Sequence, residues 1–162
     1  MKNNFSKSNY SPITPPEFNG LNCVKVKSVT IGAPGVSGCD ANFAADANTT
    51  EQVISFTDLF PAKALIKSVF SITDSAFTFS GGATTLVAEA GSSSSGNQFI
   101  SSATIYAANA VTNNAAGSSP LAAPSTSAVS LHVAATPGAN WSTMTGGKVT
   151  YFVEYLDVTG IK

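Results

Sequence analysis

Residues 148–158, KVTYFVEYLDV, carry apolar side chains on both sides of an extended chain. Val149, Tyr151, Val153 and Tyr155 alternate onto one face, and Phe152, Leu156 and Val158 take the other. A strand of this kind has no face to give to water. It has to lie centrally in a layered sheet, or another subunit has to bury one of its sides. The chain must therefore build at least one further layer around it.

Segments of strand length recur through the sequence, at 51–57, 64–73, 75–80, 83–89, 98–106 and 128–135. Earlier, residues 23–31 (CVKVKSVTI) alternate and then change phase near Ser28, as a strand with a bulge does. Within 64–72 the alternation predicts that Ala64, Ile66, Phe70 and Ile72 share a face. Gly81-Gly82 suits a two-residue hairpin turn. That hairpin would pair Phe79 with Thr84 and Phe77 with Leu86, with both aromatics on the side of Leu86. A second Gly-Gly, 146–147, precedes the closing strand.

Short strands punctuated by turns predict an all-β fold, a single antiparallel β-sandwich of the jelly-roll or Ig-like kind. No amphipathic helical stretches separate the strands, which argues against a parallel α/β sheet. One alternative stands: residues 57–69 would also accept a helix, with Pro61 near its start. The Ser/Ala/Gly-rich stretches 91–97 and 107–127 read as loops, the second long enough to be functional.

Residues 1–22 read as an extended N-terminal arm, because Pro12, Pro15 and Pro16 bar a helix and no periodic apolar face appears. Phe5, Tyr10, Ile13, Phe18 and Leu21 are spaced like anchors for a neighbour's surface. Without a partner, such a segment reads as a disordered tail. Residues 32–50 are loop-like, so the expected division is 1–50 for arm, first strand and loop, and 51–162 for the sandwich. Cys23 and Cys39 are the two cysteines, and a disulfide between them is left open.

Several function classes lack their chemistry here. All eight basic residues are lysine and the net charge is −1, so there is neither the positive field nor the arginine fork that nucleic-acid binding uses. No apolar run reaches the length of a membrane span or a signal peptide, which predicts synthesis in a cytoplasm and no membrane partner. His132 is the one histidine, and the alternation of Val129, Leu131 and Val133 puts it on an outer face with Ser130. No Gly-x-Ser-x-Gly elbow accompanies it. One His and two distant Cys match no zinc spacing. Asp40, Asn42 and Asp46 do not follow the order of a calcium loop, although a weak site within 38–50 stays open. Glu154 and Asp157 fall on opposite faces of a strand, unlike the paired carboxylates of a glycosidase. The expectation is a protein without catalytic residues, metal or cofactor.

Charged residues are only 10% of the chain, against about 25% in an ordinary soluble domain, so its surfaces desolvate cheaply on assembly. The residues expected to dock are Phe5, Tyr10, Ile13 and Phe18 of the arm and Phe152 and Leu156 of the closing strand. Trp141, the one tryptophan, lies in a loop-like GANWS and reads either as a core or interface anchor or as a platform for a sugar.

The run ISFTDLFPAKALIKSVFSITDSAFTFSGGATTLVAEAG, followed by NQFISSATIYAANA, AVSLHVAATPGANW and GGKVTYFVEYLDV, resembles a broad group of tailed-phage virion proteins. The likeness covers residues 52–158. It lies in a strand opened by Pro-Ala-x-Ala, a Gly-Gly-x-x-Thr-Leu hairpin and a closing strand with Val-Glu-Tyr. It implies a virion location after synthesis in the host cytoplasm, and a capsid-associated decoration, cement or head-fibre role. Its partners would be the major capsid protein or tail components, and its own form a homo-oligomer such as a trimer. The alternative function is a receptor- or glycan-binding tail or tail-fibre module that uses Trp141.

Overall fold

A computed structural model describes residues 24–94, 96–113 and 127–158. The arm residues Phe5, Tyr10, Ile13 and Phe18, and Cys23, lie outside this range, and with Cys23 so does the question of its pairing with Cys39.

The closing strand, β9 (Met144–Asp157), is central. It runs antiparallel between β1 (Val24–Gly32) and β4 (Ala64–Phe79). Short strands β2 (Ala41–Asn42) and β7 (Val111–Asn113) finish this first sheet, in the order β2-β1-β9-β4-β7. The second sheet has the order β3-β8-β5-β6, formed by β3 (Gln52–Phe60), β8 (Val129–Pro137), β5 (Leu86–Gly91) and β6 (Ile100–Thr104). Every pairing is antiparallel except the brief β1–β2 contact. The fold is thus an all-β sandwich, and among the described residues the one helical turn is the 3-10 turn Trp141–Thr143. Residues 57–69 form the end of β3 and the start of β4, so the helical alternative fails there.

One alternating set from each sheet meets in a continuous core. Val149, Tyr151, Val153 and Tyr155 of β9 pack with Leu86, Ala88, Leu131 and Val133 of the second sheet. Each large apolar side chain taken fully out of water contributes about 1.5–3 kcal/mol. The ends of the core are closed by Trp141 and Phe43, whose ring centroids are 4.7 Å apart, and by Phe99 and Ile105. At the opposite end Phe60 packs on Tyr155 at 5.2 Å, and Lys27 lies 5.9 Å over the Phe60 ring while donating to the Leu59 carbonyl. Lys25 pairs with Asp157 at 3.0 Å.

Four expectations need correction. First, Gly81-Gly82 does not close a hairpin: β4 and β5 lie in different sheets, and Phe79 pairs with Met144. The turn, with Gly82 at φ 72° and its N–H donating to the Phe79 carbonyl, carries the chain from one layer to the other. Phe77 and Leu86 are both buried, across the core rather than along one sheet. Second, the segments 64–73 and 75–80 run on as a single sixteen-residue strand. A bulge at Lys67 flips its phase, so Ala64 and Ile66 face the core while Phe70 and Ile72 face outward. Third, β9 begins at Met144 and passes through Gly146-Gly147, because Phe77 packs directly on Gly147. A Cβ at Gly147 would stand 2.4 Å from the Phe77 ring. Fourth, the stretch 107–127 contains β7, and 32–50 contains β2.

β1 pairs with β9 from Val24↔Leu156 to Gly32↔Lys148, and Phe43 is buried in the core. Residues 24–50 are therefore built into the sandwich rather than set apart from it.

Candidate docking face

Each sheet has an outer side, and the two differ in chemistry. On the second sheet it is mostly polar. The β3–β8 register sets Ser55 opposite His132, and Ser55 Oγ lies 2.7 Å from His132 Nδ1. Ser130 Oγ accepts from the Asp58 N–H at 3.1 Å where β3 bulges. A hydroxyl beside an imidazole suggests a nucleophile and base. Here the pair sits on a flat sheet, with no carboxylate hydrogen-bonded to the ring among the described residues, and its geometry is that of an ordinary cross-strand contact. The sequence placed His132 on an outer face correctly, but gave no sign of Ser55, whose partnership depends on strand register.

The outer side of the first sheet is apolar. In successive rows across β1, β9 and β4 stand Val24, Leu156 and Leu65; then Val26, Glu154 and Ser68; then Ser28, Phe152 and Phe70; then Thr30, Thr150 and Ile72. Val111 of β7 adjoins Ile72. Phe70 and Phe152 are stacked, with centroids 5.0 Å apart and ring planes 13° from parallel. Val24, Val26 and Val111 are 54%, 56% and 66% exposed. The polar members of these rows satisfy one another: Ser68 donates to Glu154, Thr30 and Thr150 hydroxyls lie 3.0 Å apart, and Thr150 donates to Asp74 at 2.6 Å. Eight apolar side chains thus form a diagonal band from Val24 and Leu65 to Val111, interrupted by the Glu154 carboxylate, which accepts from the Ser68 hydroxyl. Phe152 and Leu156, expected from the sequence to dock, lie in this band, together with Val24, Val26, Leu65, Phe70, Ile72 and Val111. Two-sided apolarity in β9 signalled the band; the bulge at Lys67 hid the contribution of β4.

Trp141 is fully buried. Its Nε1–H donates to the Thr50 carbonyl at 2.7 Å, and its ring covers Phe43. Its own N–H and that of Ser142 donate to the carbonyls of Asn48 and Asp46, tying loop 44–50 to the start of β9. A ring so enclosed has no face for a sugar, so this position is a core anchor. Asp40 accepts the Thr30 N–H at 2.7 Å and Asp46 accepts from Gln52 Nε2 at 3.0 Å, so both carboxylates brace the loops around them. Among the described residues no three His, Cys, Asp or Glu side chains come together as metal ligands would.

One buried polar group is unusual. Among the described residues the Tyr151 hydroxyl has no hydrogen-bond partner, and burial pushes its pKa well above the ordinary phenol value. It is surrounded by core, and no chemistry converges on it.

No protein-family model matches the chain, and no curated protein is significantly similar to it. Two solved structures share its architecture. A chain of the cyanophage Pam1 capsid asymmetric unit has a TM-score of 0.54 at 18% identity, over 84% of this chain and 85% of that one. A chain of the capsid of Ralstonia phage GP4 has a TM-score of 0.53 at 15% identity, over 86% of this chain and 88% of that one. At such identities the likeness is one of fold.

Proposed function

We propose that this chain is a non-enzymatic structural component of a phage virion, associated with the capsid, which docks through the apolar outer face of its first sheet and its N-terminal arm. The observation that carries the reading is that band: eight apolar side chains, three of them more than half exposed, on a sheet with only 10% charged residues in the chain as a whole. Exposed apolar surface of this extent marks an interaction site. The fold shared with chains of two phage capsid structures supports the virion as its setting.

Size narrows the mode of docking. A band about three strand spacings wide and six residues long covers roughly 300 Å². A stable interface buries about 800 Å² on each partner. The face alone therefore falls short, and firm attachment requires either the arm in addition or many copies bound to one lattice. A decoration, cement or head-fibre component, oligomeric and in contact with the major capsid protein, meets that requirement. A glycan-binding tail module loses its main support with Trp141 inside the core.

Quantitative mass spectrometry of purified particles tests this reading. A copy number equal to that of the shell subunit, or a simple fraction of it, is expected. A few copies per particle would move the protein to a vertex or the tail, and absence from particles would end the virion reading.

A further inference from the structure

Charge enters the apolar band at one point. Glu154 of β9 stands between Val26 of β1 and Ser68 of β4, half-buried on the outer side of the first sheet. The Ser68 hydroxyl donates to one carboxylate oxygen, and among the described residues no cation stands within ion-pair distance of the group. Beside it the surface has a notch. In the next row Phe70 covers one face of the Phe152 ring. On the other side of Phe152 stands Ser28, exposed and too small to cover the second face. Ser28 and Glu154 are diagonal neighbours on paired strands, about 7–8 Å apart, which one long side chain can span. We propose that the partner of this face inserts an arginine into the notch above Ser28, where its guanidinium pairs with Glu154 and lies against Phe152. The inference rests on this face being the docking surface, and adds what the partner must bring to it.

Desolvation calls for the cation. A wholly apolar partner laid over the band would take the Glu154 carboxylate out of water with a single hydroxyl as donor. A carboxylate buried without a counter-charge is costly, so the face rejects apolar partners and accepts one with a cation at that point. The surroundings select arginine over lysine. A guanidinium is planar and weakly hydrated, and it stacks on an aromatic face while its N–H groups donate sideways. The notch offers an aromatic face from Phe152, a carboxylate from Glu154 and a hydroxyl from Ser28. An ammonium is compact and strongly hydrated, and would shed more water to enter.

The same chemistry makes the occupant a different protein. All eight basic residues of this chain are lysine, so a second copy has no guanidinium to offer. Two copies meeting face to face about a two-fold axis through the middle of the band would also bring their Glu154 carboxylates near each other. The charge thus discriminates against pairing of the face with itself.

The test measures binding of the full chain to purified virus particles assembled without it, by co-sedimentation over a concentration series. Glu154→Gln keeps the shape and the bond from Ser68, and should weaken binding about thirtyfold or more. Ser28→Leu fills the notch and should weaken it about tenfold or more, whereas a purely apolar contact would gain from the added side chain. Val111→Asn, remote from the notch, reports on the face itself and should weaken binding several-fold. All three positions face outward, so each variant should melt within a few degrees of the wild type. Phenylglyoxal, which blocks arginine, should weaken wild-type binding as much as Glu154→Gln does when the particles are treated with it. Loss of binding in Val111→Asn alone would overturn the arginine and leave the face as the docking surface. Loss in Glu154→Gln without loss in Ser28→Leu would overturn the notch, and indifference to phenylglyoxal would replace arginine by lysine. A wild type that does not bind, or three variants that bind as it does, would overturn the docking face and this inference together.

Discussion

Replacing Trp141 distinguishes a core anchor from a surface platform. In Trp141→Ala the buried indole is lost, Phe43 loses its neighbour at 4.7 Å and the Thr50 carbonyl loses its donor. Truncating a buried Trp to Ala costs about 3–5 kcal/mol. Domains of this size are stable by about 0.05–0.15 kcal/mol per residue, so the variant should lose a large part of its total. Trp141→Phe keeps a ring against Phe43 but not the hydrogen bond, and should cost about 1–2 kcal/mol for the carbonyl left without a partner. Urea denaturation followed by far-ultraviolet circular dichroism measures both, because the variants have no tryptophan fluorescence. The midpoints should fall in the order wild type, Phe, Ala with unchanged slope. In the wild type, acrylamide should quench the single tryptophan poorly. Efficient quenching, together with a loss under about 1 kcal/mol in Trp141→Ala, would show the ring to be a surface feature and refute the burial argument.

Two further perturbations test the core. Gly147→Ala would force a Cβ to 2.4 Å from the Phe77 ring at a backbone φ of 126°, whereas the same change at Gly146 meets only Thr78 Oγ1 at 3.3 Å. Thermal denaturation should show Gly147→Ala losing about 2–5 kcal/mol from strain and overpacking together, and Gly146→Ala much less. Equal effects would mean that Phe77 does not occupy that position. Tyr151→Phe removes a buried hydroxyl that has no partner among the described residues, so stability at neutral pH should be unchanged or rise. Because burial raises the folded-state pKa of this phenol, wild-type stability is whole below about pH 10, where the unfolded phenol ionises, and falls by up to about 1.4 kcal/mol per pH unit above it. The Phe variant should lack that part of the alkaline decline, and an unchanged decline would exclude Tyr151 as its source.

The sequence disclosed most about the strands that bear on both layers. Alternation along β9 was enough to make it central, and its outward residues Phe152 and Leu156 lie where the band is. What it concealed depends on information that periodicity does not carry. Phe77 and Leu86 face inward whether 76–89 folds as a hairpin or bridges two sheets, so the apolar match could not choose between them. Lys67 looks like any outward lysine in an alternating strand, yet as a bulge it sends Phe70 and Ile72 to the opposite side from Ala64 and Ile66. β7, Val-Thr-Asn between small polar residues, has no pattern of its own and exists through pairing with β4. Trp141 lies among loop residues, and its burial follows from Phe43 and loop 44–50 closing over it.

The lysines at the start of β1 bear on whether molecules of this protein can pair edge to edge. Only the far end of β1 is covered by β2, so Val24 to Ser28 run along an outer margin of the sheet. Two molecules meeting margin to margin, with Val26 opposite Val26, would bring Lys25 of each against Lys27 of the other. Like charges directly opposite across paired strands are unfavourable. Each lysine is also tethered within its own molecule, Lys25 by Asp157 and Lys27 by the Leu59 carbonyl, and would resist swinging away. The same side chains that finish the end of the core thus guard against runaway ribbon growth, a standing hazard for β-proteins produced in quantity inside one cell.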